Sequence, residues 1–96
     1  QYAGPRYLAD RGLALGFRDL KQFDRATQAV DRAIKAAPDN PELQYLKAQI
    51  LVRQKQDRAS IPFFEKALTK RNQLPSGTVA QIERELRRTQ QRLNGQ

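Results

Sequence analysis

The sequence has 96 residues, of which 18 are Lys or Arg and 10 are Asp or Glu, and it contains no Cys, His, Met or Trp. Without Cys or His, the chain cannot form a disulfide, a structural zinc site, a Ser-His-Asp relay or a thiol nucleophile. The length allows one domain, and a hydrophobic content of 39% with 29% charged residues is typical of an ordered, surface-rich helical domain.

The first half of the chain predicts two helices. Apolar and small residues recur every three or four positions over residues 6–20, although Gly12 and Gly16 each weaken this helix by about 1 kcal/mol. A second amphipathic helix follows residues 21–22 and stops at the tetrapeptide 38–41, the strongest turn signal in the chain. Within it, Asn40 is a good N-cap and Pro41 a good first residue for a third helix.

The second half predicts three more helices, of which the first two cover about residues 41–55 and 58–70. We place Pro62 in or just after the first turn of the fourth helix, where few intrahelical hydrogen bonds are lost. Residues 72–77 form a predicted loop. Thr78 and Gln81 then resemble a capping box that opens a last helix ending at residues 94–95.

An internal repeat relates the first two helix pairs. An offset of 34 residues pairs Ala14 with Ala48 and Ala33 with Ala67, and it also pairs residues 21–22 with residues 55–56, both Lys-Gln. A one-residue deletion in the second turn would align that turn better, but the alanine pairs on either side favour the ungapped offset. Thirty-four residues is the period of a tetratricopeptide helix-turn-helix unit.

The chain therefore resembles the tetratricopeptide repeat (TPR) family over about three quarters of its length. Ala14, Phe17, Ala26, Val30 and Ala33 match the packing positions of the family in the first unit, which Pro38 closes. In the second unit Ala48, Leu51, Ser60, Phe64 and Ala67 match, while Lys47 and Asn72 depart from the pattern.

The resemblance implies an all-α fold of about five helices, stacked as a short right-handed solenoid. We expect one domain over residues 1–96, with repeats at 7–40 and 41–74 and a capping helix at 75–96. Because the chain begins at Gln1, we also expect it to be a piece of a longer protein. The predicted core is Leu13, Ala14, Phe17, Phe23, Ala26, Val30, Ala33, Ile34, Leu43, Ala48, Leu51, Phe64, Ala67, Leu68, Ile82 and Leu86.

In this family, the first helix of each unit lines a concave face that binds protein partners. The resemblance implies that the corresponding residues here form such a face, and its mixture of apolar and Arg side chains fits an acidic or carboxylate-bearing peptide. The implied binding residues are Leu8, Arg11, Leu15, Arg18, Asp19, Glu42, Tyr45, Gln49, Val52 and Arg53, with Glu83, Leu86 and Arg87 from the last helix.

One family subtype is excluded at the level of sequence. TPR domains that clamp chaperone carboxyl termini use Lys and Asn at positions that here hold Arg11, Leu15, Glu42 and Leu46. Two other roles remain open: a structural spacer in a longer solenoid, and an anionic-polymer contact through the basic residues of segment 66–92. No aromatic residue lies among those basic residues to stack on bases, so nucleic-acid binding is disfavoured. Self-association through an uncapped repeat end also remains open.

The residue pattern does not favour catalysis. Neither serine has a His to activate it, no pair of carboxylates is spaced to converge, and no glycine motif would cradle a phosphate. We therefore expect no enzyme activity and no cofactor or metal. No apolar run is long enough for a membrane span. The sequence leaves the compartment open, and only the breadth of the family favours a bacterial cytoplasm or cell envelope.

Overall fold

The computed structural model describes the backbone of residues 4–95 and the side chains of residues 7–95. Five α-helices, with a 3₁₀ turn at Arg71–Gln73, account for most of this part of the chain, which contains no β-strand. Each helix packs against the next one in the sequence, which confirms the all-α, TPR-like prediction. The helices are α1 (Gly4–Asp19), α2 (Phe23–Ala36), α3 (Pro41–Arg53), α4 (Asp57–Thr69) and α5 (Ser76–Asn94).

The turns after α1 and α3 have the same backbone geometry. Lys21 and Lys55, which are 34 residues apart, both lie in the left-handed region with φ of 61°. In each turn the next amide donates to the carbonyl five residues earlier, as in a Schellman helix end. These bonds run from Gln22 N–H to Phe17 C=O at 2.8 Å and from Gln56 N–H to Leu51 C=O at 2.9 Å. The ungapped 34-residue offset is therefore confirmed.

The turn between α2 and α3 has the predicted cap. The Asn40 side-chain oxygen accepts a hydrogen bond from the Glu42 amide at 2.9 Å, and Pro41 occupies the first helical position. The Asn40 amide nitrogen also donates to the Tyr7 hydroxyl at 2.8 Å, so the cap residue ties the start of α3 to α1.

Small side chains in the core allow the helices to approach closely. One buried cluster joins α1, α2 and α3, and a second joins α3, α4 and α5. The first contains Ala14, Ala26, Ala29, Val30, Leu46 and Ile50, and the second contains Ala48, Phe64, Ala67 and Ile82. All but one of the predicted core residues are buried or half-buried.

Leu13 is the exception, because 47% of it is exposed. It lies on the α1 face that points away from α2 and α3, so its place in the helical period did not decide which face was covered. The prediction that Leu13 belongs to the core is wrong for the described residues.

The predicted place of Pro62 is also wrong. Helix α4 begins at Asp57, so Pro62 is the sixth helical residue and lies inside the helix. Its ring has no N–H to donate to the Arg58 carbonyl. Arg58 and Pro62 are both exposed, so water can hydrate that carbonyl, and the helix continues.

Helix α5 begins earlier than predicted and without the predicted capping box. Its N-cap is Pro75, with φ of −58° and ψ of 147°, and no side chain caps this end. The fixed φ and extended ψ of Pro75 place the first helical residue at Ser76. Thr78 and Gln81 therefore lie within the helix, where Gln81 Nε2 donates to Glu85 Oε2 at 3.2 Å.

Candidate partner-binding face

The first helix of each unit and α5 contribute side chains to one cavity of about 250 Å³. We call this the central cavity. It is lined by Arg18 from α1, by Gln49, Val52 and Arg53 from α3, and by Glu85 from α5. Four of these five residues were predicted from the sequence to face a partner.

The two arginines of the central cavity differ in how strongly the fold already engages them. Arg18 Nη1 donates to Gln49 Oε1 at 3.0 Å, and Arg18 Nη2 lies 3.1 Å from Asp19 Oδ1. These contacts fix the Arg18 guanidinium, whose side chain is 24% exposed. Arg53 is exposed at the opposite edge of the cavity. Arg53 is therefore better placed to accept a new anionic partner.

Tyr45 and Glu85 form a short hydrogen bond beside the cavity. The Tyr45 hydroxyl donates to Glu85 Oε2 at 2.6 Å, and the Tyr45 ring packs on Phe64 with centroids 6.3 Å apart. Burial and the neighbouring Glu85 carboxylate raise the pKa of Tyr45 well above its ordinary value, so the phenol stays protonated at neutral pH. Glu85 therefore carries the negative charge at this edge of the cavity.

The amino-terminal part of the predicted face lies outside the central cavity. Arg11 Nε is 3.6 Å from Glu42 Oε1, a partly exposed ion pair between α1 and α3. Leu8 is 53% exposed, whereas Leu15 is half-buried against the first core cluster. Leu8 and the Arg11–Glu42 pair can therefore contact a ligand that extends beyond the cavity, while Leu15 mainly packs within the fold.

The contribution of α5 differs from the expected one. Glu83 does not line the central cavity, because it pairs with Arg71 at 3.1 Å between Oε2 and Nη1. Arg87 is exposed and is also not among the cavity residues, and Leu86 packs on the second core cluster. Glu85 takes the place that was expected of Glu83.

A longer connection explains this two-residue difference. Residues 37–40 connect α2 to α3, whereas residues 70–75 connect α4 to α5, which is six residues instead of four. Leu46 and Ile50 pack on the first helix pair, and Ile82 and Leu86, each 36 positions later, pack on the second. At an offset of 36, Gln49 corresponds to Glu85. The spacing of these two apolar pairs is the sequence signal that would have identified Glu85.

Several basic residues of segment 66–92 already contact groups of this chain. Arg92 makes two hydrogen bonds to Asp57, at 3.0 and 3.2 Å, and Arg71 pairs with Glu83. The Lys66 ammonium lies 5.0 Å from the centroid of the Phe63 ring. These contacts reduce the positive charge that the segment presents as a continuous surface.

Two further features were searched for in residues 4–95. No group of three or more acidic or metal-binding side chains is arranged around a possible metal site in this range. Within the same range, none of the helices combines the length and the apolar character needed to cross a membrane.

With the helix pairs and their repeat geometry described, the comparison with known families is decisive for the second unit. Residues 41–69 match the tetratricopeptide repeat family. The chain is a TPR-like repeat protein. A TPR unit indicates a protein-interaction module, and TPR proteins are generally non-enzymatic scaffolds.

The TPR-like chain also matches part of a longer protein. It is 38% identical over 92 residues to the human testis-specific protein TEX28, and the alignment covers 95% of the chain and 22% of the relative. The chain therefore spans about a fifth of the length of the curated relative that it matches. No solved structure matches the chain significantly.

Proposed function

We propose that this TPR-like domain binds a protein partner through the central cavity, and that the partner presents a carboxylate to Arg53 next to an apolar side chain that contacts Val52. The observation that carries the proposal is the exposed guanidinium of Arg53 in a cavity of about 250 Å³ that Val52 also lines. A guanidinium can hold a carboxylate by two parallel hydrogen bonds, which gives direction as well as affinity.

The other cavity residues restrict which partner fits. Arg18 is engaged by Gln49 and Asp19, so it supports the local charge without being the main contact. Glu85 disfavours a second carboxylate at its own edge of the cavity. A segment with one acidic residue followed by an apolar residue therefore suits the cavity better than a run of acidic residues.

A random 12-residue peptide library displayed on phage tests this proposal. The wild-type chain should enrich peptides that carry Asp or Glu next to an apolar residue. Arg53→Glu should weaken a selected peptide by at least about tenfold, because a charge-assisted pair is replaced by repulsion. Arg87→Glu makes the same charge change on an exposed residue outside the cavity and should leave affinity within about twofold. Equal effects of the two variants would contradict the proposal.

The other roles left open by the sequence give different results in the same variants. Contact with an anionic polymer would appear as binding of polyuridylic acid that falls steeply with salt and is lost in Arg87→Glu/Arg88→Glu. A spacer would enrich no peptide and would tolerate Arg53→Glu and Arg87→Glu equally.

A further inference from the structure

Helix α1 has an exposed apolar face on the side away from α2 and α3. Leu13 and Leu20 are 47% and 67% exposed, and Ala9, Gly12 and Gly16 share this side of the helix. Among large hydrophobic residues in the described side chains, Leu8, Leu13 and Leu20 are the exposed ones. Leu8 belongs to the predicted binding face, which leaves Leu13 and Leu20 unexplained by the proposed function. We call Ala9, Gly12, Leu13, Gly16 and Leu20 the outer face of α1.

The internal repeat shows what covers the equivalent face elsewhere in the same chain. The residues 34 positions later are Leu43, Leu46, Lys47, Ile50 and Gln54, and all of them are buried or half-buried. Leu46 and Ile50 pack against α2 in the first core cluster. The same arrangement follows in the next step, where Ile82 of α5 packs on Phe64 and Ala67 of α4. The outer face of α1 thus continues an interface that occurs twice within the chain.

The contacts at the α2–α3 interface also define the chemistry of the missing neighbour. Lys47 Nζ pairs with Asp31 Oδ1 at 2.6 Å, and Gln54 exchanges hydrogen bonds with Asp24 and Thr27 at 3.3 and 3.4 Å. On α1, Leu13 stands in the place of Lys47 and Leu20 in the place of Gln54. Neither leucine can satisfy a polar partner. A helix that covers α1 must therefore be apolar where α2 carries Asp24, Thr27 and Asp31.

A second copy of this chain does not supply such a helix. The relevant face of α2 is covered by α3, and that of α4 is covered by α5. The surface of α5 away from the core is polar, with Arg84, Arg88 and Gln91 exposed. Both candidate helices of a second copy are already occupied.

We infer that the outer face of α1 receives an amphipathic α-helix of a separate segment, related to α2 in position and with apolar residues in place of Thr27 and Asp31. Gly12 and Gly16 favour a close approach of that helix, because no atom lies within 4 Å of a Cβ placed at either glycine. This surface is distinct from the central cavity.

The absence of cysteine from the chain allows a direct test. Single variants Leu13→Cys and Leu8→Cys place a unique thiol on the outer face and on the predicted binding face, at similar exposure of 47% and 53%. An added copy of residues 7–40 is joined immediately before Tyr7, either unchanged or with Thr27→Leu/Asp31→Leu in the copy. The rate of thiol labelling is then measured with and without each added unit.

The apolar copy should slow labelling at the Leu13→Cys position by at least about tenfold, because a docked helix must open before reagent can reach the thiol. The unchanged copy should slow it less, and Leu8→Cys should change by less than about twofold in every form. Unchanged labelling of Leu13→Cys beside the apolar copy would overturn the inference. Slower labelling of the unextended Leu13→Cys chain at higher protein concentration would also overturn it, in favour of a second copy.

A second variant covers the case in which the apolar copy does not fold. Leu13→Lys, combined with the unchanged copy, recreates the Lys47–Asp31 pair at the new interface. It should slow labelling of Leu20→Cys more than the unchanged copy does beside Leu13. An equal rate in the two chains would show that the interface is not formed, and would overturn the inference independently of the apolar copy.

Discussion

Lys21 and Lys55 lie 34 residues apart and adopt the same left-handed backbone conformation, with φ of 61° at both. Each follows the first helix of a unit and allows the chain to reverse into the second helix. A lysine is unfavourable in this conformation, since its Cβ approaches the following carbonyl group. The two turns therefore retain a repeated backbone feature at the expense of local stability.

Glycine at either position should stabilise the domain. Lys21→Gly and Lys55→Gly should each raise the free energy of unfolding by about 0.5–1 kcal/mol, because relief of the Cβ contact exceeds the extra entropy of glycine in the unfolded chain. Urea unfolding at neutral pH measures the change. Lys21→Ala and Lys55→Ala keep a Cβ and should give no such gain. Equal stability of the glycine and alanine variants would contradict the left-handed turn.

Gly16 is a second position where substitution should increase stability. Helix α1 is exposed there, and a Cβ at Gly16 would meet no atom within 4 Å. Gly16→Ala should raise the free energy of unfolding by about 0.5–1 kcal/mol through helix propensity. Gly95→Ala is the comparison, because its Cβ would lie 3.3 Å from the Gln91 carbonyl oxygen at the end of α5. A loss of stability in Gly16→Ala would indicate a covered helix face already present in this chain.

The hydrogen bond from Tyr45 to Glu85 predicts a dependence on alkaline pH. Burial and Glu85 raise the pKa of Tyr45 in the folded state, whereas an unfolded tyrosine ionises near pH 10. The resulting contribution to stability is fully present below about pH 10 and is lost as the pH rises through the folded-state pKa. Tyr45→Phe should cost about 0.5–1.5 kcal/mol at pH 7 and should flatten the loss of stability above pH 10.

Urea unfolding at several pH values, with wild type and Tyr45→Phe in parallel, measures both effects. Spectrophotometric titration adds an independent test, because the wild-type chain should show tyrosinate absorbance at high pH that Tyr45→Phe lacks. Identical alkaline unfolding profiles for the two chains would contradict the assigned role of Tyr45.

The pair formed by Asp57 and Arg92 predicts a dependence on acidic pH. Two hydrogen bonds from the Arg92 guanidinium hold the pKa of Asp57 below its usual value. The contribution to stability is present above the unfolded pKa of about 3.9 and is lost as the pH falls through the lower folded-state pKa. Asp57→Asn should lower the free energy of unfolding by about 0.5–1 kcal/mol at pH 7, since Arg92 is partly exposed, and by less in acid.

Acid-dependent urea unfolding checks this prediction. Glu65→Gln removes an exposed carboxylate from the same helix and should cost less at pH 7. A deficit in Asp57→Asn that persists unchanged to the lowest pH would show that the Asp57 carboxylate does not contribute through its charge.

The features that repeat were predictable from the sequence, and those that depend on a missing neighbour were not. The alanine pairs at the 34-residue offset fix both helix pairs and most of the core. Leu13 has the spacing of a core residue, yet no described helix covers it. Pro62 was predicted near the helix start because an interior proline is costly, but its exposed position removes part of that cost.

The candidate site was predicted where the repeat period holds and displaced where it ends. Arg18, Gln49, Val52 and Arg53 came from the two units and line the central cavity. In α5 the prediction gave Glu83, because it extended the 34-residue offset past a connection that is two residues longer. Periodicity locates side chains only within the repeats, whereas the apolar pairs that pack on the previous helix locate them beyond.

The length of that connection gives this fold a route to new specificity that requires no change in α5 itself. Residues two apart on a helix point in directions about 200° apart. Removal of two residues from the segment 70–75 would therefore be expected to withdraw Glu85 from the cavity and present Glu83, with a different set of neighbours. Insertions and deletions between helices can thus exchange one recognition surface for another while every recognition side chain remains encoded in the chain.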